Sequence, residues 1–187
     1  MARLPLIDPA TASGEVGAAF AAVPVKLNLF RMMAHAESCM VSQMRLGGDI
    51  LARQALGHQP RELLILLVAA LEGGAYEWRQ HAPIALGLGV TQAQVDAIER
   101  RDLCAPVFSA SDRALLAFAA QVIESVRVDD AVFAETKRHF SDREIVEAIL
   151  AIGYYMTMTR LTEATQTDLD PSAGMAVFNA ARGEEKA

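Results

Sequence analysis

The sequence predicts an all-α fold, organised as one domain over residues 1–187. Apolar residues recur three or four positions apart along most of the chain, as they do on one face of a helix. They do not alternate with period two over any stretch long enough for a strand. Hydrophobic residues make up 52% of the sequence and charged residues 21%, a balance typical of a globular domain rather than a disordered chain.

The helical pattern falls into eight segments separated by turn and cap residues. The second segment begins at Asn28, a candidate N-cap, and a break is expected near Glu37. Pro60 lies near the start of the third segment, and the Gly73-Gly74 pair ends it. The predicted segments span 14–23, 28–56, 58–74, 75–89, 90–101, 109–126, 129–140 and 141–165.

The later segments carry recognisable N-caps. Thr91 begins the fifth, Ser109 or Ser111 begins the sixth, and Ser141 with Glu144 has capping-box spacing at the start of the eighth. The third segment matches the sixth in pattern, and the fifth matches the eighth, at similar offsets, which indicates a weak internal repeat. Only the proline-containing start and residues 181–187 are expected to be loose.

Two stretches, 63–71 and 145–158, are apolar on nearly every side. A helix of that kind is buried all round, either in the centre of a domain or in a subunit interface. A chain of this length can bury one such helix in its own core. Two of them therefore indicate a homo-oligomer.

Charge and hydropathy exclude several classes of partner. The formal net charge is -6 and no cluster of lysine and arginine occurs, so a nucleic-acid partner is not expected. The longest apolar run, 63–71, is too short to cross a bilayer, and the start of the chain has no signal-peptide pattern. These features predict a cytoplasmic protein without a membrane partner. Cys39 and Cys104 form no metal or redox motif and are expected to be small buried residues.

The stretch GGAYEWRQHAP at 73–83 combines a carboxylate with an imidazole directly after one of the most apolar runs. Glu77 and His81 are four residues apart and share one face of a helix, where the carboxylate can orient and polarise the ring. If 60–73 and 75–87 pack as an antiparallel hairpin, Glu62 lies at the same end as His81. Three titratable groups then converge beside apolar walls, an arrangement suited to proton transfer.

Each of these residues also has a structural interpretation. Glu62 near a helix start can stabilise the helix dipole, and Glu77 with His81 can be a surface pair. Tyr76 and Trp78 can be core or interface aromatics. The Glu-Glu-His set can also hold a divalent metal, but no third helix offers a further ligand, so neither a metal nor a cofactor is predicted.

The stretch 61–99, RELLILLVAALEGGAYEWRQHAPIALGLGVTQAQVDAIE, resembles the core of the carboxymuconolactone decarboxylase family, which includes the alkylhydroperoxidase D proteins. Peroxidase members carry Glu-x11-Cys-x2-Cys-x3-His. In that spacing the glutamate falls on Glu62 and the histidine on His81, whereas the two cysteines fall on Gly74 and Glu77. The flanking stretches NLFRMMAHAE and AIGYYMTMTRLTEAT are similar to the branch without these cysteines, so the resemblance covers about 27–169.

The resemblance implies an all-α fold, homo-oligomers that are commonly trimers or hexamers, and a pocket near subunit contacts. Peroxidase activity is not expected, because glycine and glutamate supply neither the thiolate nor its resolving partner.

The leading hypothesis is a cofactor-free acid–base enzyme, namely a decarboxylase, isomerase or lactone hydrolase, acting on a small carboxylated or lactone-like molecule. His81 is then the general acid or base, Glu77 orients it, and Glu62 is a second base or positions a water. Hydrogen bonds to a developing enolate are predicted for three tyrosines: Tyr76, Tyr154 and Tyr155.

Two alternatives stay open. One is an antioxidant thiol peroxidase in which Cys39 or Cys104 replaces the missing pair. The other is a non-catalytic oligomeric protein that binds a small acid.

Overall fold

The structure is a computed structural model that describes residues 1–183, and these residues form helices without any strand. The all-α prediction is therefore confirmed. A short C-terminal helix lies beyond the predicted segments, and residues 184–187 of the predicted loose end lie outside the described residues. The helices are α1 (Gly14–Ala22), α2 (Asn28–Met33), α3 (Glu37–Ala52), α4 (His58–Glu72), α5 (Ala75–Gly87), α6 (Gln92–Glu99), α7 (Ala110–Ser125), α8 (Asp130–Lys137), α9 (Asp142–Thr165) and α10 (Met175–Ala181).

Capping residues explain where three of these helices begin. The side chains of Thr91, Ser109 and Ser141 each accept a hydrogen bond from the backbone N–H three residues on, and the backbone N–H of each donates to the side chain of that residue, which completes a capping box. The boxes at Thr91 and Ser141 occupy equivalent places in two matching segments, in agreement with the internal repeat. Asn28, in contrast, is not an N-cap but the first residue of α2, and its amide donates to the backbone of Asp168.

The helical hairpin that carries the candidate site forms as predicted. α4 ends at Glu72 because Gly73 adopts a left-handed conformation with φ of 72°, which favours glycine. α5 begins two residues later, packs against α4 and continues through Pro83. The two helices are therefore adjacent over the whole stretch between Glu62 and His81.

α4 is the central helix of the core. It packs against α5, α6, α7 and α9, and every residue from 61 to 69 is buried. The prediction of all-round burial is confirmed for this helix. For α9 it stays a prediction that depends on a subunit interface, because Val146, Ile149 and Leu150 are 55%, 41% and 53% exposed on the outer face of this helix within one chain. We call these three residues the α9 stripe.

No helix within residues 1–183 is long and apolar enough to cross a membrane.

Candidate active site

Glu62 and His81 form the centre of the site. His81 Nδ1 lies 2.9 Å from Glu62 Oε2, a bond that joins α5 to α4. The glutamate is fully buried and the histidine is 8% exposed. Because Glu62 accepts from Nδ1–H, the ring is held in the tautomer that leaves Nε2 as an acceptor. Glu62 lies beyond the first turn of α4, so the helix-dipole interpretation does not describe it.

Arg61 binds the second oxygen of the same carboxylate. Its Nη2 and Nε atoms lie 2.9 and 3.2 Å from Glu62 Oε1, and its Nη1 donates to the backbone oxygen of Leu51 at 2.8 Å. Nη1 also lies 2.9 Å from Nδ1 of His58. This guanidinium is 1% exposed. Sequence reasoning did not identify Arg61, because an arginine at the start of a helix ordinarily points to solvent and its spacing carries no contrary signal.

Opposing effects act on the pKa of Glu62. Burial raises the pKa of this carboxyl, but the charges and hydrogen bonds of His81 and Arg61 outweigh burial and hold the pKa below its usual value. Glu62 is therefore an ionised partner for the imidazole at neutral pH.

Glu77 is buried, but it does not orient His81. Its carboxylate accepts a hydrogen bond from Thr162 Oγ1 at 3.1 and 3.3 Å, and no hydrogen bond joins it to the imidazole. The expectation that Glu77 orients the ring is wrong, because Glu62 already occupies Nδ1. Burial raises the pKa of Glu77, and its hydrogen bonds and His81 compensate only in part. Within residues 1–183 no group of three or more His, Cys, Asp and Glu side chains is placed to hold a metal ion.

Gly74 and Glu77 occupy the two positions at which the resemblance places a redox cysteine pair. A side chain at Gly74 would put its Cβ 2.8 Å from Thr159 Cγ2 and 2.9 Å from Thr159 Oγ1. The second position is the buried carboxylate of Glu77. Cys39 and Cys104 were expected to be buried, but both are exposed, and neither lines the cavity described next.

A cavity of about 170 Å³ opens beside His81 and Glu77. Both residues line it, whereas Glu62 lies behind the imidazole and does not. The cavity is mainly apolar, and its wall includes Leu29, Phe30, Met44, Leu51, Ile84 and Met158.

Tyr154 and Tyr155 bring phenol groups from α9 to the same cavity. The rings of His81 and Tyr155 meet edge to face at 4.8 Å, and those of Tyr155 and Tyr154 at 5.3 Å. Neither hydroxyl has a hydrogen-bond partner among the described residues. Burial raises the pKa of both phenols well above the usual value, so both stay protonated and can donate to a ligand oxygen or nitrogen.

Tyr76 lines the cavity as well, but its hydroxyl is hydrogen-bonded outside the cavity. It donates to Asp170 in the segment after α9, and that segment is also bonded twice to the side-chain amide of Gln80, at 3.3 and 3.0 Å. Further along, Phe178 of α10 covers the Arg61 guanidinium at 5.5 Å. Residues 167–181 thus form a C-terminal cover over one side of the site, which the sequence patterns did not reveal.

The family model of the carboxymuconolactone decarboxylase family matches residues 42–121, which include the hairpin of Glu62 and His81. The resemblance noted in the sequence is thereby confirmed. No curated protein matches the chain in sequence.

Solved structures of the same fold match nearly the whole chain. A peroxidase-related protein from Ralstonia eutropha JMP134, described as an alkylhydroperoxidase AhpD core, has a TM-score of 0.78 at 18% identity, covering 97% of this chain and 96% of that one. A peroxidase-related protein from Silicibacter sp. TM1040 has a TM-score of 0.76 at 19% identity, covering 92% of each chain. A variant of the debrominase Bmp8 in complex with 2,3,4-tribromopyrrole has a TM-score of 0.71 at 18% identity, covering 99% of this chain and 100% of that one. At these identities the similarity establishes the fold alone.

Proposed function

We propose that this chain is a proton-transfer enzyme for a small organic molecule, with His81 as its general acid–base. The observation that carries the proposal is the buried hydrogen bond between Glu62 and His81 Nδ1 at the wall of an apolar cavity. It leaves Nε2, which has no hydrogen-bond partner among the described residues, for a molecule in the cavity. A carboxylate-oriented imidazole is a common device for general acid–base catalysis.

The first step is removal of a proton from carbon next to a carbonyl group. His81 Nε2 takes the proton, and the electron pair of the C–H bond moves onto the carbonyl oxygen. The hydroxyls of Tyr154 and Tyr155 then donate hydrogen bonds to this oxygen as its negative charge develops.

Return of the proton from His81 to another carbon completes an isomerisation. A decarboxylation has no deprotonation step: the bond from carbon to the carboxylate breaks, carbon dioxide leaves, and the electron pair of that bond forms the same enolate. His81, protonated at Nε2 by solvent beforehand, then gives its proton to the carbon. Neither route requires a cofactor. Glu77 lines the same cavity and supports either route as a second proton-transfer group.

The experiment is hydrogen–deuterium exchange in D₂O, followed by proton NMR on a panel of small ketones, enols and lactones. A general acid–base contributes about 10²–10⁴-fold to such a step, so His81→Gln is expected to lose a factor of that size. His139→Gln is the matched control, because His139 also pairs with a glutamate, Glu135, but on the surface. Exchange that is catalysed by the wild type and unchanged in His81→Gln contradicts the proposal.

The two alternatives give different results in the same assays. A thiol peroxidase would lose peroxide turnover in Cys39→Ser or Cys104→Ser, whereas we expect no peroxide turnover in the wild type. A non-catalytic binding protein would bind a small molecule without any exchange that depends on His81.

We further propose that the chain forms a homo-oligomer, a trimer or a hexamer, through the α9 stripe. Exposed neighbouring apolar residues on one helix face are typical of a protein interface. Sedimentation velocity is expected to show an assembly larger than the 20.1 kDa chain. Ile149→Asp should shift it toward the monomer, whereas Val126→Asp, the same kind of change at an 83% exposed site outside the stripe, should not. A monomeric wild type contradicts this proposal.

A further inference from the structure

Two segments outside the core form part of the cavity wall. One lies within residues 22–30, between the end of α1 and α2, and the other is α10 of the C-terminal cover, which contributes Val177, Ala180 and Ala181. The rest of the wall belongs to α3, α5 and α9. Because α5 and α9 pack directly on the central helix α4, a molecule from solvent reaches His81 past the two outer segments.

Little apolar burial holds the C-terminal cover in place. Of residues 168–181, only Phe178 is buried, whereas every residue from 61 to 69 of α4 is buried. Segments with few buried apolar contacts open locally at a much smaller free-energy cost than the core. The cover is therefore suited to open without unfolding of the whole domain.

Polar contacts with α5 hold the cover closed. Tyr76 and Gln80 lie four residues apart on this helix and both reach the cover. The Tyr76 hydroxyl donates to Asp170, and the side-chain amide of Gln80 bonds twice to the backbone of the cover. Glu77 and His81, the residues that follow each of them, line the cavity. The helix that carries the candidate site is therefore also the helix to which the cover is fastened.

Asp170 is the residue at which both outer segments meet α5. Its Oδ2 atom accepts from the backbone N–H of Asn28 at 2.6 Å as well as from Tyr76. The Tyr76 oxygen in turn accepts from the backbone N–H of Leu29 at 3.1 Å. Tyr76 is 2% exposed, so water does not readily replace these bonds. Loss of either the carboxylate or the phenol group therefore loosens the cover and the start of α2 together.

We propose that the C-terminal cover is a gate to the cavity, and that Asp170 is the positioning residue that keeps this gate closed through Tyr76 and the start of α2. Asp170 does not line the cavity, so it acts on the walls and not on a ligand. Opening of the gate exposes His81 to molecules from solvent, and closing surrounds the imidazole with a largely apolar wall. Such a gate controls access to the site whether or not the site transfers protons.

Modification of His81 by diethyl pyrocarbonate, a small reagent that acylates neutral imidazole, measures opening of the gate. Peptide mass spectrometry follows the rate for each histidine. Tyr76→Phe and Asp170→Ala each remove one of the two hydrogen-bonded groups, and each is expected to raise the His81 rate about tenfold or more, as loss of a hydrogen bond to a charged group implies. The double variant should react little faster than the faster single variant, because both changes remove the same junction.

Asp168→Ala is the matched control. Asp168 lies two residues before Asp170, and its side chain pairs with the N-terminus at the surface. This variant should leave the His81 rate unchanged, and the surface histidine His139 should react at the same rate in every variant. Amide hydrogen exchange of α4, measured on the same proteins, should also be unchanged, which separates opening of the gate from a general loss of stability.

An unchanged His81 rate in either Tyr76→Phe or Asp170→Ala overturns the proposal. An increase that also occurs in Asp168→Ala, or that accompanies faster amide exchange of α4, overturns it as well. In the wild type, the amides of residues 168–181 should exchange before those of α4, and equal protection of the two contradicts a gate even if a variant does not fold. Neither measurement requires a substrate, so the gate and the proton transfer stand or fall separately.

Discussion

Replacing Glu62 by glutamine removes one charge from the most buried ionic contact of the site while leaving its shape nearly unchanged. Glu62 is 0% and Arg61 is 1% exposed, and they are joined by bonds of 2.9 and 3.2 Å. The amide keeps one acceptor oxygen, so it cannot accept from both Arg61 and His81. Either the Arg61 guanidinium or His81 Nδ1 then faces the NH₂ group of the amide instead of an acceptor oxygen.

The size of the effect follows from this burial. Removing one partner of a buried ion pair costs about 3–5 kcal/mol, because the remaining charge keeps its desolvation penalty. Such a loss is a large part of the free energy of unfolding of a domain, about 5–15 kcal/mol. The contacts of Arg61 to Leu51 and His58 remain, so we expect the lower end of the range, about 3 kcal/mol.

The loss should also depend on pH. Because the folded protein holds the pKa of Glu62 below its unfolded value, the ionised carboxylate stabilises the fold above the ordinary carboxyl pKa. This contribution disappears as the pH falls through the folded pKa. The difference between wild type and Glu62→Gln is therefore expected to be largest near neutral pH and to shrink on acidification.

Urea unfolding, followed by circular dichroism at several pH values, measures the effect. Glu135→Gln is the matched control, since Glu135 also contacts one arginine and one histidine but on the surface, and it should change stability little. The double variant Arg61→Met/Glu62→Gln should recover part of the loss, because no guanidinium is left unpaired. If Glu62→Gln is no less stable than Glu135→Gln, the buried ion pair does not stabilise the fold and our reasoning fails.

Three further predictions concern stability. Glu77→Gln should be more stable than the wild type at neutral pH and equal to it at low pH, because a raised folded pKa means that stability is lost as the carboxyl ionises. Thermal melts over a pH series check this, and a difference independent of pH contradicts it. Gly74→Ala should cost about 1–3 kcal/mol in urea unfolding and be largely rescued by Thr159→Ala, whereas Gly48→Ala, whose Cβ meets nothing within 4 Å, should not destabilise. Equal losses of stability in Gly74→Ala and Gly48→Ala would contradict the explanation by contact with Thr159. Ser141→Ala should cost about 1 kcal/mol through loss of the α9 N-cap, and unchanged urea unfolding would contradict it.

Local sequence patterns were sufficient to predict most features of the hairpin formed by α4 and α5. The glycine pair ended α4, the spacing of apolar residues predicted two adjacent helices, and equal distances from the turn placed Glu62 and His81 at the same end. These features depend on residues near in sequence, for which helix geometry is regular. Cys39 and Cys104 were predicted to be buried from residue type alone. Both predictions were wrong, because residue type does not specify whether a side chain on a helix or loop faces the core or the solvent.

The sequence by itself determined the helical class of the fold, the capped starts of α6, α7 and α9, and the resemblance to the carboxymuconolactone decarboxylase family, because periodicity, caps and motif spacing are local properties. Only the tertiary structure decided that Glu62 rather than Glu77 binds the imidazole, that Arg61 points inward, and that Tyr76 bonds to Asp170. Those choices depend on the rotation of each helix about its axis and on contacts between residues far apart in the chain, such as Tyr76 and Asp170. Periodicity shows which residues share a face, but packing against the neighbouring helices selects the partner that each side chain meets.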